Sequence, residues 1–245
     1  MRSRQGGFTI IETMLFLAIS GLVMAIVIVG IAAGVNRERY KDAVNSYVNF
    51  WQGQYSQTTN VINNRENQNP CDGSKIVDDG SETDLGRGTS DCTVVGRIIT
   101  SSADGKTVTS SSVYATVDAA SLLASPGADD RASLAQAKLI GDTVTDTYQM
   151  SWGTRVVTSK AESSVVNNFS ILIIRMPTSG QITTYVLKQA GKKPAEVAAL
   201  GTTNADLLMC VDQAGLTAAP SMGVLLKAAA ANSGGVVFSE IGSGC

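Results

Sequence analysis

The apolar positions of this chain change their spacing twice. From Thr13 to Val35 there are 23 residues without a charge, apolar on every side of any helix drawn through them. At ~1.5 Å per residue that is enough helix to cross a hydrocarbon core of roughly 30 Å. Beyond it the pattern becomes one-sided. Tyr40, Val44, Tyr47, Val48, Trp51, Tyr55 and Ile62 recur mostly at three- and four-residue steps, while Arg37, Glu38, Lys41, Asp42, Asn45 and Asn49 fill the other side. With no proline before Pro70, the pattern predicts one helix from about Thr9 of more than 50 residues, weakened locally at Gly53. It should fray through residues 63–69 and stop before Pro70.

From Thr93 the spacing shortens again. Residues 93–101 and 107–117 are rich in Val, Ile, Thr and Tyr, with Asp104-Gly105 as the turn between them. Residues 119–125 and 131–140 read as short helices. Residues 145–152 and 154–159 read as strands around Gly153. Residues 168–176 and 181–188 form the clearest hairpin, and 195–212 is ambiguous between helix and strand. Residues 222–229 and 236–241 read as edge strands, with a helix the alternative for the alanine run. Consecutive strands with tight turns give an antiparallel sheet, whose apolar face would lie on the aromatic stripe of the helix. The expected class is α+β.

Composition narrows the function. With 245 residues, the part beyond the apolar run is long enough for one sizeable domain. A net charge of −2 with no basic patch does not suggest a nucleic-acid partner. The chain has no histidine, so Ser-His-Asp and Cys-His sites are excluded. No Ser-x-x-Lys arrangement occurs. Gly105-Lys106-Thr107 has the ending of a phosphate-binding loop, but position 100 is Thr where the pattern needs Gly. Asp78, Asp79, Glu82, Asp84 and Asp91 lie in a polar loop, with a spacing that matches no calcium-loop template; a solvated loop is the simpler reading. Asn168-Phe169-Ser170 is a glycosylation triplet inside a predicted strand. We expect no enzyme, no metal and no cofactor.

One residue contradicts a plain membrane anchor. Glu12 sits at the head of the apolar run, where an ionised carboxylate deep in a bilayer costs about 2.5–3.5 kcal/mol even on the lenient insertion scale. It needs a partner. Before it stand a short basic leader (Arg2, Arg4), Gly7, and the run Phe8-Thr9-Ile10-Ile11. The leader is shorter than a secretory signal peptide, and the apolar run lies after it. Glycine, phenylalanine, the Thr-Ile-Ile run, glutamate and span, in that order, resemble the class III signal of type IV prepilins. The resemblance covers about the first 60 residues.

The resemblance implies cleavage by a prepilin peptidase between Gly7 and Phe8, and methylation of the new terminus at Phe8. It implies that Glu12 pairs with the terminal amine of a neighbouring subunit. Loss of Arg2 and Arg4 would take the net charge to −4. The implied protein is a structural subunit of a type IV pilus: a single-pass membrane protein before assembly and an extracellular filament on the bacterial surface afterwards. Such filaments serve motility, adhesion or DNA uptake. Its partners would be further copies of itself, the peptidase, the inner-membrane assembly machinery and, before assembly, the lipid bilayer. A pseudopilin or minor pilin of a secretion or DNA-uptake machine, or a monomeric membrane-anchored surface domain, are the alternatives. The expected division is leader 1–7, transmembrane and filament-core helix 8–35, amphipathic half 36–66 and a β-rich pilin domain 67–245. Pilins often carry a proline in the second half of the span. Here Ile26-Val27-Ile28-Val29-Gly30 has none, so either Gly30 takes its place or the helix stays continuous.

Four cysteines, Cys71, Cys92, Cys210 and Cys245, contain no C-x-x-C pair and read as two disulfides outside the membrane. Three connectivities are open. Cys71–Cys92 and Cys210–Cys245 are favoured, because each closes a Gly-rich segment with little core of its own; Cys71–Cys245 with Cys92–Cys210 is the rival. The favoured second bridge also resembles the disulfide-closed C-terminal region of many pilins.

Overall fold

The computed structural model describes residues 9–61, 92–116, 134, 137–158, 165, 167–176, 179–216, 221–239 and 245. One helix, α1 (Ile10–Thr59), runs unbroken for 50 residues. Gly21, Gly30, Gly34 and Gly53 all lie within it, so Gly30 does not interrupt the ladder. The helix stops at Thr59, short of residue 66. The Thr58 and Thr59 hydroxyls donate back to the Gln54 and Tyr55 carbonyls, Asn60 caps the end, and Val61 turns to a positive φ of 51°. Local bonds of this kind compete with helix continuation.

Among the described residues nine strands follow, in two antiparallel sheets rather than the expected one. The first has the order β3-β2-β1-β5-β6 and is built from β1 (Cys92–Ser101), β2 (Thr107–Thr116), β3 (Lys138–Gln149), β5 (Ser170–Arg175) and β6 (Ile182–Leu187). The second has the order β4-β7-β8-β9, from β4 (Arg155–Val157), β7 (Leu207–Asp212), β8 (Met222–Leu226) and β9 (Val236–Ser239). The segment at 222–229, expected at an edge, supplies β8 between two neighbours.

The segment at 131–140, expected helical, is corrected in its C-terminal part. Lys138, Leu139 and Ile140 pair with Thr116, Ala115 and Tyr114, extending β3 over 12 residues. Long-range pairing overrides the alanine- and leucine-rich local preference. The segment at 119–125 lies outside the described residues. Residues 195–212 contain both elements: a short helix α2 (Pro194–Leu200), then β7.

α1 packs its aromatic stripe between the sheets. Tyr40, Val44, Tyr47, Trp51 and Tyr55 join Ile99, Phe169, Ile171 and Ile173 of the first sheet side, and Met209, Val211 and Val224 of the second, in one core. Phe50 stacks on Tyr148 with ring centroids 4.7 Å apart, and Trp51 meets Phe169 at 5.8 Å. Hydroxyls at both ends of the stripe fix its register. Tyr40 donates to the Val211 carbonyl at 2.9 Å and accepts from the Met222 N–H at 2.7 Å. Tyr55 bonds Thr184 at 2.8 Å, and Thr184 in turn donates to the Ala230 carbonyl. β5 is buried on both faces: Ile171 and Ile173 point to α1, while Leu172 and Ile174 share a second core with Val197 and Ala198 of α2. Gly96 follows a bulge in β1 and lies against the Ile173 carbonyl so closely that no Cβ fits there.

Candidate functional site

The N-terminal half of α1 stands apart from this packing. Every residue from Thr9 to Val35 is exposed, and the first buried side chain of the helix is Tyr40. Sixteen large apolar residues between Ile10 and Val35 are 43–79% exposed. At about 1.5–3 kcal/mol for each such side chain removed from water, covering this surface is worth tens of kcal/mol. So large a patch marks a surface made for lipid or for protein. α1 is long and apolar enough to cross a membrane.

Glu12 finds a partner within its own chain. Thr9 is the N-cap of α1, and its hydroxyl accepts from the Glu12 N–H at 3.3 Å. The Glu12 carboxylate reaches back to the Thr9 N–H and hydroxyl, both at 3.2 Å. This capping box satisfies free N–H groups of the first turn and places the carboxylate at the positive end of the helix dipole. Two such bonds do not exhaust a carboxylate, which has roughly four lone-pair sites. Gly7 and Phe8 lie outside the described residues. The Thr9-x-x-Glu12 spacing was itself the signal for this cap.

Residues 2–28 match the family model described as the prokaryotic N-terminal methylation motif. The chain carries a class III prepilin signal. That signal and the exposed apolar helix support a type IV pilin-like reading, and the helix is suited to membrane anchoring before assembly. A prepilin signal implies processing by prepilin peptidase and assembly into pili, and it points to a structural protein. No curated protein and no solved structure matches the chain.

The remaining candidates separate from the prepilin helix. Cys210 of β7 is joined to Cys245, closing a loop with a sequence separation of 35. The bridge lies over β8, where a Cβ on Gly223 would meet the Cys245 sulfur at 2.9 Å. Cys92 is buried at the start of β1, and none of the described cysteines is free. Cys71 lies outside the described residues, as do the acids at 78–91. Among the described residues no group of three metal-ligating side chains occurs. Lys106 closes the β1–β2 turn, where Asp104 bonds the Ser102 hydroxyl and the Lys106 N–H, which hold its carboxyl below the usual carboxylate range. Ser170 of the glycosylation triplet is fully buried, with its hydroxyl donating to the Gln189 carbonyl, while Asn168 is exposed.

One cluster escaped the sequence reading. Trp152 follows β3 in a single 3₁₀ turn and donates its indole N–H to Asp42 of α1 at 3.0 Å. The Arg39 guanidinium covers its ring at 4.8 Å. These partners are more than 100 residues apart in sequence, and no local pattern joins them.

Proposed function

We propose that this protein is the structural subunit of a type IV pilus, processed between Gly7 and Phe8 and polymerised through α1 into an extracellular filament. The observation that carries the reading is the apolar half of α1, uncovered from Thr9 to Val35 by its own domain and headed by the prepilin signal. Leaving the bilayer, such a surface must be buried against other copies. In this reading residues 8–35 form the filament core, and the domain carried by the second half of α1 tiles the outside. The assembly machinery of the inner membrane would move the subunit from one environment to the other. Glu12 would hold its cap to Thr9 in the membrane and offer its remaining acceptor capacity to the amine of a neighbouring Phe8. A pseudopilin or minor pilin would use the same helix in a shorter assembly.

Glu12→Gln is the discriminating variant. Glutamine keeps the capping box but removes the charge. Filament yield in sheared surface fractions should fall for Glu12→Gln as far as for Glu12→Ala, with membrane insertion intact. Normal filaments from Glu12→Gln would reduce the residue to a helix cap. N-terminal sequencing of the mature chain should begin at Phe8. Membrane-only monomer in the wild type would favour the anchored surface domain.

A further inference from the structure

The Trp152 cluster sits where α1 leaves the apolar run. Arg39 lies roughly 6 Å along the helix past Val35 and Asp42 roughly 10 Å past it, at ~1.5 Å per residue. The headgroup layer adds roughly 5–7 Å beyond the hydrocarbon core on each side. Trp152, held between these two residues, therefore sits at the outer edge of the headgroup layer when α1 spans a bilayer. We propose that Trp152, with Arg39 and Arg37, docks the globular domain on the phospholipid headgroups of the membrane in which α1 is anchored. The inference rests on the membrane-anchored reading of α1.

Three observations carry it. First, the indole is 49% exposed although its N–H is bonded and the Arg39 guanidinium lies over its ring. Tryptophan is enriched at this depth because its body is apolar and its edge polar. Second, its backbone is left-handed, with φ 58°, and the next residue, Gly153, is at 74°. A bulky residue rarely adopts that region, and the strain persists where surrounding structure holds a side chain in a required place. A clasp to the helix explains the Asp42 bond but not a half-open ring. Third, the local charges are sorted. Glu38 pairs with Lys41 at 3.0 Å, and the exposed Arg37 and Arg39 outnumber Asp42, whose indole partner is neutral. That leaves a net basic excess on this turn of the helix, suited to anionic phosphates.

The chain provides its own probe, since Trp51 is fully buried and Trp152 is the other tryptophan. The full chain is reconstituted into phosphatidylcholine–phosphatidylglycerol vesicles bearing a quencher near the headgroup or near the acyl-chain end. The Trp152 signal is the difference between wild type and Trp152→Phe. It should be quenched by the shallow label more than by the deep one, and the quenchable component should be lost in Trp152→Phe. Co-flotation with vesicles reads anchoring separately. A protein that floats, but whose Trp152 is unquenched by either label and open to aqueous acrylamide, would overturn the docking proposal alone. A protein that does not float would overturn both it and the anchoring on which it rests. Protection of Trp152 only in assembled filaments, without lipid quenching in vesicles, would overturn it too and assign the residue to subunit contacts.

Discussion

The two halves of α1 share a backbone and differ in what surrounds them. From Tyr40 to Thr58 the buried positions fall on one face, and every aromatic of that face meets a named partner in the sheets. From Ile10 to Val35 the apolar positions cover all faces and meet nothing in the described chain. A stripe specifies one contact surface, so it can be satisfied by one domain. An all-round apolar surface asks for an environment instead: lipid, or copies packed on every side. The same helix thus holds a part that folds the monomer and a part that stays unsatisfied until something else arrives.

The sharpest way to break this contrast is to truncate one side chain in each half. Trp51→Ala should cost the domain about 3–5 kcal/mol, as for other buried large-to-small changes. Phe16→Ala should leave domain unfolding in detergent unchanged within about 0.5 kcal/mol, as for sites outside the packed core. Chemical denaturation of the two full-length variants, followed by near-UV circular dichroism, checks both. Equal losses would mean that the halves are not independent.

The next effect belongs to the domain alone. Cys245→Ser removes the bridge to β7, and a loop of this size stabilises by roughly 3–4 kcal/mol in the chain-entropy estimate, less any strain. The unfolding free energy from denaturant titration should fall by that amount, while vesicle co-flotation stays as in wild type. Reducing the wild type should cost at least as much, because it also opens the bridge at Cys92.

The smallest effect is graded by pH. Burial pushes the Tyr47 hydroxyl well above its ordinary value of 10.0. Because the folded state keeps this proton and the unfolded state releases it near pH 10, stability is complete below that pH and declines above it. The expected slope is about 1.4 kcal/mol per pH unit for this group. Tyr47→Phe should flatten alkaline unfolding above pH 10. An unchanged slope would show that other groups control it.

α1 was legible because its apolar pattern persists over many residues and no proline interrupts it before Pro70. The β1–β2 and β5–β6 hairpins were legible because β-rich runs flank short turns at Gly105 and Gly180. The division into two sheets was not, since the paired residues of β4 and β7 lie more than 50 positions apart in sequence. Residues 138–140 look helical locally and become strand because Tyr114 and its neighbours offer an open edge. At the candidate site the signal and Glu12 could be read directly, because the prepilin motif is contiguous. Trp152 could not, because its meaning depends on a helix residue brought to it by the fold.

The absence of any break in α1 also has a mechanical side. A chain pulled from its N-terminal end would load a rod with no compliant segment between Ile10 and Thr59. Tension would travel along the i→i−4 ladder and first reach the domain at Tyr40, whose hydroxyl bridges β7 and β8. The load would then spread over the stripe from Tyr40 to Tyr55 rather than peel one contact at a time. That is the arrangement of a stiff handle seated lengthwise in its socket.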